Sequence, residues 1–223
     1  MDKRSKRRSL AIAAVVAVPL LATGVLAHTR FGRALFGEKC PWEGAPPSAE
    51  KLETFRVNAA AGLKGTTRAP ARPAFGFVLD KSTKADVTAW GARVGAKCKE
   101  EIAGAALRCE SADKPISAEN EVAVKDAFFR FDPRGVLVGV DLMRDGTNGE
   151  KAAAVVTSIT AQIAREAGPP SNVVGTASPA QLTGYMSRVS SEFRFADYAA
   201  DVSATNLGDE GIVVREQYRS IPN

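Results

Sequence analysis

The sequence predicts an α+β domain: an antiparallel β-sheet with two main helices packed on one face. Three observations carry that reading. Val124 to Phe131 and Val136 to Met143 alternate apolar and polar residues around Asp132-Pro133-Arg134-Gly135, with Pro and Gly at the type I turn positions of a hairpin. Gly149 to Ala167 places Ala152, Val155, Val156, Ile159 and Ile163 on one side at helical spacing, and Gly168-Pro169-Pro170 stops it. The last third is strand-rich, with runs at Arg188 to Phe195, Tyr198 to Thr205 and Gly211 to Ser220, and a turn at Asn206 to Glu210.

Taken from the start, the chain opens with Lys3, Arg4, Lys6, Arg7 and Arg8, followed by an uncharged apolar run from Leu10 to Ala27. A basic flank, an apolar stretch and small residues near Ala27 describe a secretory signal, cut to leave His28 first. The same run reaches the lower limit of a membrane-spanning helix, about 17–25 residues. Residues 1–28 are therefore a signal peptide or an N-terminal membrane anchor. The main body is expected outside the cytoplasm, either anchored with the N-terminus inside or periplasmic or secreted after cleavage. Arg30 and Arg33 alternating with Phe31, Leu35 and Phe36 suit a membrane–water interface or simply begin the mature linker.

Residues 29–73 read as a Pro-rich linker holding one short helix. Ser48 caps that helix, Leu52, Phe55 and Ala59 share a face, and Gly62 or Gly65 ends it. Thr66 to Pro73 is extended, and the short helix either docks on the domain or only spaces it from the membrane. The α+β domain is expected over 74–223. Phe75, Phe77 and Leu79 alternate as a strand. Ser82 or Thr83 caps a helix to Val94, with Val87, Trp90 and Val94 on one stripe and Gly95 as its stop. A cysteine-bearing hairpin, a polar loop from Asp113 to Asn120 and the Asp132 hairpin follow. Beyond the long helix come a short strand at Val173 and a helical turn over Ser178 to Leu182. Phe129-Arg130-Phe131 and Phe193-Arg194-Phe195 suggest two related helix-plus-strands units, 74–145 and 146–223.

The formal charge of +5 does not indicate a nucleic-acid binder. The basic leader supplies most of it, and the rest of the chain has no Lys/Arg block interleaved with aromatics. Three cysteines are present. Export permits a disulfide; three pairings are open on paper, the hairpin favours Cys98 with Cys109, and the alternative is two buried thiols there. Cys40 is left over, and it stands too far behind the apolar run to be a lipoprotein cysteine.

The stretch from Leu79 to Gly95 places a leucine, polar residues, Thr83, Val87 and then a helix ended by glycine. In this it resembles the envelope lipoprotein family SmpA/OmlA and the β-lactamase-inhibitor-protein-like modules. Lys81 or Ser82 stands where that family favours glycine, and Ala96 where it favours proline. The resemblance implies a helical segment against an antiparallel sheet, and protein binding rather than chemistry.

The single histidine, His28, lies at the export junction, so a Ser–His–Asp triad, a Cys–His pair and histidine-based zinc sites have no imidazole inside the fold. No phosphate loop, dinucleotide fingerprint or EF-hand spacing occurs. No catalytic, cofactor-binding or metal-ligating residue is assigned. Asp141 and Asp145, at the end of a strand, are the only carboxylate pair worth testing as acid and base. They also fit the solvent side of a hairpin. Glu100 with Glu101 reads as solvated. Ser82 beside Lys81 or Lys84 is explained more simply by capping.

The expected function is that of an exported or membrane-anchored, non-catalytic cell-envelope protein that binds another protein through the open face or edge of its sheet. Trp42 in the linker and Glu216 and Tyr218 in the last strand are the expected partner contacts. No cofactor and no nucleic acid are expected; a membrane is, through residues 10–27 if they are uncut. Two alternatives belong to other classes. One is a carrier of an apolar small molecule on a concave sheet lined by Phe129, Phe131, Phe193 and Phe195. The other is a carboxylate hydrolase using Asp141 and Asp145.

Overall fold

A computed structural model describes residues 48–111 and 122–222, all within one unit spanning Pro47–Asn223. The expected signal or anchor, Cys40, Trp42 and the polar loop Asp113 to Asn120 lie outside the described residues. Among the described residues no helix is long and apolar enough to cross a membrane.

The domain is α+β. Helix α1 (Ala49–Ala61) is followed by a two-stranded ribbon, β1 (Pro73–Ala74) and β2 (Phe77–Val78). Helix α2 (Lys84–Val94) then leads into β3 (Ala96–Glu101), β4 (Ala106–Ser111), β5 (Asp126–Phe131) and β6 (Leu137–Thr147). Helix α3 (Gly149–Ala167) leads in turn into β7 (Asn172–Val174), β8 (Arg188–Arg194), β9 (Tyr198–Asn206) and β10 (Ile212–Ser220). The eight long-sheet strands lie in the order β3-β4-β5-β6-β10-β9-β8-β7, and every pairing is antiparallel. A helix followed by four strands thus occurs twice, and the fourth strand of each set meets at the centre. The two Phe-Arg-Phe triplets sit on the third strand of one set and the second of the other.

Local chemistry explains the helices. Thr83 caps α2 in a reciprocal box with Asp86, and Gly95 ends it in the left-handed conformation. Asn148 caps α3 by accepting from the Lys151 N–H. The apolar stripe of α3 (Ala152, Val155, Val156, Ile159, Ile163) is buried against the sheet, where α3 meets β9 and β10. Trp90 of α2 packs edge-on against Phe75, Phe77 and Phe129. Cross-strand parity puts Phe129, Val140, Leu142, Val202, Val214 and Tyr218 on this one helix-covered face, where they form the core.

Cys98 and Cys109 are direct cross-strand partners in β3 and β4 and form a disulfide. Gly91 of α2 lies against it. A Cβ there would stand 2.6 Å from Cys98 Sγ, so only glycine lets the helix approach this closely.

Two expectations about local structure need correction. The segment Phe75 to Leu79 is not one strand: it folds back at Phe75-Gly76, both at positive φ (54° and 78°), the geometry of a tight hairpin turn. Of the two readings of the short helix, docking on the domain is the one seen: residues 48–73 belong to the folded unit. Ala60 and Leu63 pack on Ala199 and Ile221, and Arg56 donates to the Ser220 carbonyl. Gly65 donates to the Phe195 carbonyl, and a Cβ at Gly65 would stand 2.1 Å from the Arg194 carbonyl oxygen. The helix turns a different side inward than expected: Phe55 is 58% exposed, while Ala60 is buried.

Candidate functional site: the open face of the sheet

Each strand residue between two core residues points away from α2 and α3, to a side that α1 covers only where Ala60 and Leu63 pack on Ala199 and Ile221. Across neighbouring strands these residues line up in rows. One row reads Ala106, Arg130, Gly139, Arg219, Ala199, Arg194 from β4 to β8. Three guanidinium groups alternate there with residues too small to separate them. The next row reads Arg108, Phe128, Asp141, Gln217, Asp201, Glu192. A basic row therefore lies beside an acidic one.

The two rows are bonded together. Asp141 Oδ2 takes Arg130 Nη1 at 2.6 Å, and Oδ1 accepts from Gln217 Nε2 at 2.5 Å and Arg219 Nη2 at 3.1 Å. Arg215 stands 3.5 Å off, more than half exposed. Three guanidinium groups thus share one carboxylate whose side chain is 12% exposed. Burial pushes the Asp141 pKa up, but Arg219, Arg130 and the hydrogen bond from Gln217 outweigh it and hold the carboxyl below its ordinary value. Burial, with the like charges of Arg219 and Arg215, lowers Arg130 against the opposing pull of Asp141. Further along, Arg194 Nη2 bonds Asp201 at 2.6 Å and Glu192 at 3.3 Å. At the other side Arg108 bridges Glu101 and Asp126, both at 3.2 Å. Phe128 lies between two cations, with Arg130 5.0 Å and Arg108 5.7 Å from its ring centre.

A cleft of about 390 Å³ opens at the end of the arginine row, between α1, the β5–β6 turn and the β3–β4 connection. Leu52, Ile102 and Phe131 give it apolar walls, and Arg56, Lys84 and Arg130 line it as cations. Ile102, Ala103 and Gly104 run in succession at φ of 54°, 53° and 84° along its rim. Two non-glycine residues held in the left-handed region store backbone strain beside this cleft.

Several residues expected at a site lie elsewhere. Glu216 and Tyr218 are not partner contacts: they are 2% and 3% exposed and face the helices. Strand β10 is paired on both sides, by β6 and β9, so it has no free edge for a partner strand. Burial and the neighbouring Glu216 raise the Tyr218 pKa well above the ordinary value. Phe129, Phe193 and Phe195 are buried beneath the helices and line no open concavity, and of the four only Phe131, itself buried, borders the cleft beside α1. Asp141 and Asp145 share one strand and one face, but four residues of strand separate their backbones by about 13 Å. That exceeds the spacing glycosidase carboxylates use, and each is bound to its own cations, Asp145 to Lys125. Glu100 and Glu101 pair with Lys84 and Arg108. Ser82 accepts from the Val78 N–H through its Oγ. Among the described residues no group of three His, Cys, Asp or Glu side chains is placed to hold a metal ion.

The arginine row had a signal in the sequence. In each Phe-Arg-Phe triplet the two phenylalanines are core residues, so the intervening Arg130 and Arg194 must emerge on the opposite face. No protein-family model, curated protein or solved structure matches the chain.

Proposed function

We propose that this is an exported or membrane-anchored, non-catalytic protein of the cell envelope that binds another protein through the open face of its sheet. The observation that carries the reading is the two-row platform around Asp141. Arginine and aromatic side chains are the types that dominate binding energy at protein interfaces. Here they are held in place before any partner arrives. Arg130, Arg219 and Arg194 are each fixed by a carboxylate, so ordering them on binding costs less than ordering free side chains. Three guanidinium groups around one carboxylate leave surplus positive charge at the platform centre, suited to an acidic side chain of the partner. The non-catalytic part of the reading is supported by the way Asp126, Asp141, Asp201 and Glu192 are used: each is engaged with a cation. Its location outside the cytoplasm rests on the basic and apolar leader and agrees with the Cys98–Cys109 disulfide.

A photo-crosslinking amino acid at Met143, exposed on this face, tests the proposal against one at Gln162, exposed on α3. One partner captured stoichiometrically from Met143 and not from Gln162, in native envelopes, is the expected result. Equal capture from both positions, or none from Met143, overturns it.

A further inference from the structure

Residues 168–187 contain no Asp, Glu, Lys, Arg or His, in a chain that is otherwise one-quarter charged. This segment includes β7 and the turns that lead into β8. It also supplies Val173, Val174, Tyr185 and Met186, half of the large apolar residues exposed among the described ones. Met186 and Tyr185 lie against Asn206 and Gly208 at the β9–β10 turn, while Val173 and Val174 put an uncharged apolar surface on β7, at one end of the sheet.

That end is a strand edge. Strand β7 pairs only with β8, so among the described residues its outer backbone groups have no ladder partner. The opposite edge differs. Strand β3 carries Lys97, Lys99, Glu100 and Glu101, charges that discourage edge-to-edge pairing. Beside β7, on the helix-covered side, lies a groove of about 290 Å³ walled by Val156, Ala161, Ala164 and Val189, with Val173 at its lip.

We propose that this edge is where a second copy of the chain docks, β7 against β7 in antiparallel register. An antiparallel edge is self-complementary under a two-fold axis normal to the sheet, because each copy offers the other the same row of donors and acceptors. The absence of charge over 168–187 lets two copies meet without taking any ionised group out of water, as an edge such as β3 would have to. With the axis near Val173, the apolar side chains of the two copies lie together over the paired grooves and leave water. The same axis turns both open faces to one side, so self-association leaves the Asp141 platform free.

The full chain in mild detergent tests this by sedimentation and by crosslinking. The wild type sediments as a dimer with a melt that rises with protein concentration, and Val173→Lys as a folded monomer whose melt does not depend on concentration, since Val173 is 56% exposed and contributes little to the core. In a Cys40→Ser background, Val173→Cys forms an intermolecular disulfide at least about tenfold faster than Glu210→Cys, an exposed position away from the edge. A wild type that stays monomeric, a dimer that survives Val173→Lys, or crosslinking at residue 173 no faster than at 210 overturns the proposal.

Discussion

Arg144 on β6 and Glu216 on β10 are diagonal neighbours across the central strand pair, and they form an ion pair inside the core. Arg144 Nε and Nη2 both donate to Glu216 Oε1, at 3.0 and 2.9 Å, and the two side chains are 2% and 3% exposed. Arg144 Nη1 also donates to the Val122 carbonyl, and Tyr218 donates to Glu216 Oε2 at 2.7 Å. The charges are thus bonded on several sides, as burial demands. Removing one partner strands the other. Arg144→Met is expected to cost about 3–5 kcal/mol, and Arg144→Met with Glu216→Leu to recover most of that. Urea denaturation of the two variants measures it; a double variant no more stable than the single one contradicts it.

The contact between α2 and the disulfide makes a coupled prediction. Replacing both cysteines with alanine is expected to cost about 2–4 kcal/mol. Gly91→Ala in the intact protein is expected to cost about 1–3 kcal/mol, because the new methyl meets Cys98 Sγ. In the alanine background that sulfur is gone, so the Gly91→Ala penalty shrinks. A double-mutant cycle with thermal melts reads the coupling directly.

Acid stability follows from Asp141. Its folded pKa lies below the ordinary value of 3.8 despite burial, because the arginines and Gln217 favour the anion. The stability this contributes is present above the unfolded pKa and is lost as pH falls from about 4 through the folded value. Asp141→Asn is expected to flatten that acid limb while lowering stability at neutral pH. Asp126 has the opposite sign: burial raises its pKa more than Arg108 lowers it. Its charging as pH rises disfavours the fold, so Asp126→Asn leaves neutral-pH stability unchanged or slightly higher. Denaturation midpoints from pH 2 to 7 separate the two residues.

On the platform, Phe128→Ala removes the ring that two guanidinium groups flank without opening the core. Partner capture from Met143 is expected to fall by roughly 30-fold, the equivalent of about 2 kcal/mol. The melt of the isolated protein shifts little. Undiminished capture would remove Phe128 from the interface.

At α1, the two sides of the helix are expected to respond differently. Phe55→Ser, at an exposed position, stays within about 0.5 kcal/mol of wild type. Ala60→Asp places an unpaired charge against Ala199 and Ile221 and costs about 2 kcal/mol or more. Proteolysis between α1 and β1 reports whether the helix has come away.

Local chemistry was legible in the sequence. Helix α3 runs over the residues its apolar spacing and its Gly-Pro-Pro stop indicate, and Thr83, Gly95 and the Asp132 turn act through short-range bonds. What lay beyond reach was pairing between distant residues. Nothing near Glu216 in sequence says that β6, some seventy residues earlier, lies beside it. Even so, parity held a clue: Glu216 falls in step with Ile212, Val214 and Tyr218, and Arg144 in step with Val140 and Leu142. Two opposite charges on buried parities need each other. The platform was hidden for a related reason, since it is a property of rows across strands and not of any one strand.

Strand β10 lies between β6 and β9, although it follows both in the chain. A chain that emerges from its N-terminal end can form the hairpins of its first half, but β6 must wait with an open edge until residues near 220 appear. The pairing that joins the two halves of the sheet is therefore a long-range one at its centre, the kind of contact that slows folding. Until it occurs, the nascent chain presents an unprotected β6 edge to any neighbour, which makes a holding factor most useful during that interval.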